Sequence, residues 1–97
     1  MTPEVVRVDI DRAVVRYIEN ATIRATTPYH FVARAIAFQA DTGARLTPGG
    51  ICQYALQLSK TANVGGITFD DVHDVLPEVV KALQSPNPIS RLNLGRS

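Results

Sequence analysis

A chain of 97 residues holds one hydrophobic core and leaves little area for an internal catalytic cleft. With 45% hydrophobic residues, 20% charged residues and a formal net charge of +1, it has the balance of an ordinary globular domain. It lacks the basic excess that a general binder of nucleic acid or anionic membrane needs, and its single cysteine, Cys52, excludes an intramolecular disulfide.

Met1 leads into Thr2-Pro3-Glu4 without the basic segment and long apolar run of a secretory signal, and no stretch reaches transmembrane length. A cytoplasmic chain without membrane partners is therefore expected. Thr2 as cap, Pro3 at the first helical position and Glu4 in the first turn predict a helix start. Val6, Ile10, Val14, Tyr17 and Ala21 continue at helical spacing, with Arg7, Asp9, Asp11, Arg12, Arg16 and Glu19 as a solvated face. Val6, Val8 and Ile10 also alternate with Arg7 and Asp9, so a short strand followed by a helix capped at Asp11 competes with that reading. The absence of Gly and Pro between Glu4 and Thr26 favours the helix. Residues 22–26, rich in β-branched side chains, form the connection.

The most sharply punctuated stretch is Thr27 to Gly43, with Thr27 as N-cap, Pro28 at the first position and Gly43 closing the end in a left-handed conformation. Phe31, Val32, Ala35, Ile36, Phe38 and Ala40 cover most of its circumference and leave a narrow polar stripe of His30, Arg34 and Asp41. A helix apolar nearly all round is a buried one, so this is the expected central element, with Phe31, Ala35 and Phe38 in the core.

Thr47-Pro48 marks a third start, where Leu46 and Ile51 are placed as a hydrophobic staple around Gly49 and Gly50. Ile51, Tyr54, Ala55, Leu58 and Ala62 are its expected apolar face, Gln53, Gln57 and Lys60 its polar one, and Gly65-Gly66 its end. The fourth start is a capping box of Thr68 and Asp71. Phe69, Val72, Leu76, Val79, Val80 and Leu83 form one apolar stripe behind it, and Pro77 is expected to kink or break this helix. Ser85-Pro86-Asn87-Pro88 stops it. The fold class is all-α: a bundle of about four helices over residues 1–85, with an extended C-terminal arm over residues 86–97. The arm is expected to dock on a neighbouring chain, with Ile89, Leu92 and Leu94 as apolar anchors and Arg91 and Arg96 meeting the acids of the fourth helix.

Catalytic and metal-binding patterns are absent. His30, Cys52 and His73 sit on three different predicted helices without HExxH or CxxC spacing, and Asp70, His73 and Asp74 share a first helical turn, where acids already complement the helix dipole. Cys52 has no base near it in sequence, and the Gly-Gly pairs lack the phosphate-loop pattern. No enzyme activity, metal or cofactor is expected.

Two functional classes remain. From Leu46 to Phe69 the only charged residue is Lys60, a span too long to hide inside a small domain, so part of it is expected to meet another chain. That reading makes the protein a non-enzymatic interaction or assembly module, with a protein partner or a second copy bound by Gln53, Gln57, Lys60, Ile89, Arg91, Leu92 and Leu94. The alternative is a helix-turn-helix DNA-binding regulator. Its third helix would enter the major groove with Gln53, Gln57 and Lys60. The helix start at Thr47, Gly49 and Gly50 would meet a phosphate, and Arg34 and Arg45 would add backbone contacts. One basic residue on the recognition helix and an acidic fourth helix weigh against it.

Overall fold

The computed structural model describes residues 5–94. Among these the chain forms five helices and no strand: α1 Arg12–Ala21, α2 Pro28–Asp41, α3 Pro48–Thr61, α4 Phe69–Leu83 and the single turn α5 Pro88–Arg91. The all-helical class expected from the sequence is the one observed.

Helix starts follow local capping chemistry. The side chains of Thr27, Thr47 and Thr68 accept the amide protons of His30, Gly50 and Asp71, each three residues on. Asp71 returns the bond through Oδ2 to the Thr68 amide, completing a reciprocal capping box. α1 departs from the favoured reading. It begins at Asp11, whose Oδ1 accepts the Val14 amide at 3.0 Å, and not at Thr2. Residues 5–11 are extended, as the alternating pattern allowed, with Val6, Val8 and Ile10 against the core and Val5, Arg7 and Asp9 exposed. This segment is held across the domain by the Val6 amide donating to the Leu46 carbonyl and by Gln84 Nε2 donating to the Arg7 carbonyl, both at 2.8 Å. Thr2, Pro3 and Glu4 lie outside the described residues.

α2 is the centre, packed on α1, α3 and α4. Phe31, Val32, Ala33, Ala35, Ile36 and Ala37 are all buried, a run that only a helix enclosed on most sides can show. Phe38 corrects the expectation: it is half-buried at the α2–α3 seam, edge-on to Tyr54 with ring centroids 6.5 Å apart. α2 closes as predicted, Gly43 taking φ +76° while its amide bonds Ala40 and that of Ala44 bonds Gln39. α3 closes in the same way but earlier than Gly65-Gly66. Asn63 adopts φ +63°, its amide donates to Lys60, and the Val64 amide donates to Ser59. Asparagine tolerates the left-handed region, so it ends the helix two residues before the glycines.

α3 also faces the core with a different stripe. Ile51, Cys52, Ala55 and Ser59 are buried, Tyr54 and Leu58 are half-buried and Ala62 is exposed. Ser59 enters the interior because its hydroxyl donates to the Leu56 carbonyl at 2.7 Å, as buried Thr22 does to Ile18. α4 buries Val72, Leu76, Val79, Ala82 and Leu83, leaves Val80 half-buried, and runs on unbroken through Pro77. Pro77 lies on the exposed side, where water can replace the bond missing at the His73 carbonyl.

The C-terminal segment is the largest departure. Pro88 opens α5 instead of continuing an extended arm, and Leu92 and Leu94 are 6% and 4% exposed within this domain's own core. α5 packs on α1 and α4. The Tyr29 hydroxyl accepts the Asn93 amide at 3.1 Å, and His30 Nε2 donates to the Leu94 carbonyl at 2.7 Å while its Nδ1 meets the Thr27 hydroxyl. Two neighbouring side chains of α2 thus fasten the segment that was expected to reach another molecule. Arg96 lies outside the described residues.

Candidate interaction surface

α3 presents its inner stripe to α2 and α4, so the opposite stripe faces outward along the whole helix. Its exposed residues are Gly49, Gln53, Gln57, Lys60 and Thr61, flanked by half-buried Tyr54, Leu56 and Leu58. Lys60 is the only charge among them. Around this face stand further cations: Arg45 exposed just ahead of the Thr47 cap, and Arg34 on α2, whose guanidinium lies 5.2 Å above the Phe38 ring that abuts Tyr54. No acid occurs between Leu46 and Phe69. The result is a polar, uncharged strip with an aromatic border and a sparse basic rim.

The residues assigned from sequence fall into two places. Gln53, Gln57 and Lys60 share the outer face of α3, with Arg45 at its start and Arg34 beside it. Ile89 and Arg91 lie elsewhere, since α5 touches α1 and α4 but not α3. Ile89 is 37% exposed and Arg91 borders an open cleft of about 580 Å³ with Glu78, Lys81 and Gln84. Leu92 and Leu94 are withdrawn from any partner by burial. Among the groups assigned to a phosphate, the Gly50 amide is already occupied by Thr47 Oγ1 at 3.1 Å, and Gly49 is exposed.

Sequence reasoning missed two aromatic side chains that stand outside the core, Phe38 at the border of this face and Phe69 on α4. Phe38 and Phe69 both looked like core residues by spacing, yet Phe38 sits at the seam. Phe69 is 43% exposed, stacked on His73 with centroids 6.0 Å apart. The available signal was position: Phe69 directly follows the cap of α4, where the first turn has not yet reached its neighbours.

The candidate ligands His30, Cys52 and His73 serve separate roles. His30 holds the C-terminal segment, His73 stacks on Phe69, and Cys52 is fully buried, where desolvation raises its pKa. Among the described residues no group of three or more His, Cys, Asp or Glu side chains gathers as a metal site, and no helix is long and apolar enough to cross a membrane. Comparison with protein families, with characterised proteins and with solved structures finds no match to this chain.

Proposed function

We propose that this protein is a non-enzymatic interaction module that associates with other protein chains, its own copies first among them, through the outer face of α3. The observation that carries the reading is the composition of that face. The other long helices display exposed charges of both signs or an acid: Arg12, Arg16 and Glu19 on α1, Asp41 at the end of α2, and Asp70, Asp74, Glu78 and Lys81 on α4. Only α3 pairs exposed amides with half-buried Tyr54, Leu56 and Leu58 and a lone lysine. Interfaces are depleted of charge at their centres and enriched in aromatic residues, with cations tolerated at the rim. Desolvating Gln53 and Gln57 costs far less than desolvating a carboxylate or ammonium, and their amides can re-form hydrogen bonds with a partner.

A helix-turn-helix reading uses the same face, and Lys60, Arg45 and Arg34 would be its phosphate contacts. Three cations are few for a function whose affinity comes from phosphate neutralisation, and the Gly50 amide is no longer free to help. Light scattering across a dilution series, run beside titration with a labelled DNA duplex at low and high salt, separates the two. A mass that rises with protein concentration and no duplex binding is expected. A monomer at every concentration that binds the duplex, with affinity falling steeply in salt, would replace this reading with the DNA-binding one.

A further inference from the structure

We infer that the surface receiving α3 is the outer face of α4 on a second copy of this chain, so that copies associate head to tail; this rests on the assignment of α3 as the interaction face. The two faces are complementary in charge. Around α3 stand Arg34, Arg45 and Lys60, and along the exposed side of α4 run Asp70, Asp74 and Glu78, one helical turn apart, followed by Lys81 in the last turn. Neither set is neutralised within its own molecule: among the described residues the one ion pair within 4.0 Å joins Arg12 to Asp41, at 3.9 Å and largely in solvent.

The apolar features match as well. Beside the acids, Phe69 and His73 stack on one another and Phe69 is left 43% exposed, an aromatic body only partly covered by its own domain. On the α3 side Tyr54, Phe38 and Leu58 are half-buried and can receive it. The acids recur about every 6 Å over about 12 Å of α4, so a cation at the rim of α3 can meet an acid at more than one position along that helix.

A symmetric pairing of α3 with α3 is the competing arrangement, and its electrostatics are unfavourable. Antiparallel helices would bring Lys60 of one copy towards Arg45 of the other, and parallel ones would set Lys60 against Lys60. Pairing α3 with α4 sets those cations against three acids, with the like charges of Lys81 and Arg91 confined to the end of the α4 face beside Glu78. Because the two surfaces differ, the contact is heterologous, and it closes into a ring or extends into a filament according to the rotation between copies.

A complementation experiment tests this. One variant blocks the α3 face, Gln57→Glu with Lys60→Glu; a second blocks the α4 face, Asp74→Lys with Glu78→Lys, leaving Asp71 to its capping box. Thermal melts establish that each is folded, and where the lysine pair unfolds the chain, Asp74→Asn with Glu78→Gln takes its place. Each variant alone is expected to associate at least tenfold more weakly than wild type, and an equimolar mixture to form a 1:1 dimer that grows no further. An α4 variant that assembles like wild type, while the α3 variant does not, overturns this inference and leaves the α3 assignment standing. A mixture that remains monomeric also overturns it. Wild type that is monomeric at every concentration overturns both, as does a basic rim that binds duplex DNA instead.

Discussion

Helices α3 and α4 are of nearly equal length, 14 and 15 residues, each starts at a threonine whose hydroxyl accepts a first-turn amide proton, and each buries one stripe against α2. Outward they differ: α4 carries Asp70, Asp74, Glu78 and Lys81, as a solvated helix does, whereas α3 carries glycine, glutamine, threonine and one lysine. Capping and inner packing are alike, so the fold itself does not require α3 to lack charge. On the proposed reading, the difference belongs to what the helix meets, and not to how the domain folds.

If that separation of inner from outer face is right, the inner faces should be costly and roughly equal. Phe31 on α2 is fully buried in the shared core, and Phe31→Ala should cost about 3–5 kcal/mol in chemical denaturation. Ile51→Ala on α3 and Leu83→Ala on α4 should each cost about 2–5 kcal/mol, and a large inequality would break the comparison. Phe38→Ala, at the half-buried seam, should cost about half as much as Phe31→Ala.

The caps come next. Thr68→Ala and Thr47→Ala should each lower stability by about 1 kcal/mol, the former somewhat more because it opens a reciprocal box. Thr61→Ala removes only a hydroxyl bonded to the Gln57 carbonyl on the surface and should change the melt little. Smallest in stability, and sharpest for the comparison, are the outer faces: Gln53→Glu and Gln57→Glu should stay within about 0.5 kcal/mol of wild type while weakening association. A stability loss as large as that of a core variant would mean the α3 face is structural. Cys52 offers a check on the inner side, since burial raises its pKa and keeps the thiol protonated. A thiol reagent should label it slowly at mildly alkaline pH and rapidly only once the chain is unfolded.

Much of the fold was legible because helix starts are written locally. Thr27, Thr47 and Thr68 each cap an amide three residues on, and that chemistry needs no tertiary information. Where two local rules agreed with the same residues, the sequence did not decide: Val6, Val8 and Ile10 satisfy a strand period and part of a helical one, and docking between Leu46 and Gln84 selected the extended form. Of the two outcomes expected at Pro77, a kink or a break, the break does not occur: α4 continues past it, with Pro77 on the exposed side. The C-terminal segment was expected to anchor on a neighbouring chain, whereas Leu92 and Leu94 enter this domain's own core and Ile89 stays exposed, because the target depends on Tyr29 and His30, more than sixty residues earlier. For the candidate surface, the missing charge could be read directly, while the border formed by Arg34, Phe38 and Tyr54 exists only once α2 and α3 are packed together.

The central claim is that the outer face of α3 is where this protein meets another chain. Backbone amide NMR spectra recorded over a concentration series test it residue by residue. The signals of Gln53, Gln57 and Lys60 should move as concentration rises, accompanied by Phe69 and Asp74 if copies join head to tail, while Arg12, Arg16 and Glu19 on α1 stay in place. Spectra in which α3 is unmoved, or in which α1 shifts instead, would contradict the account.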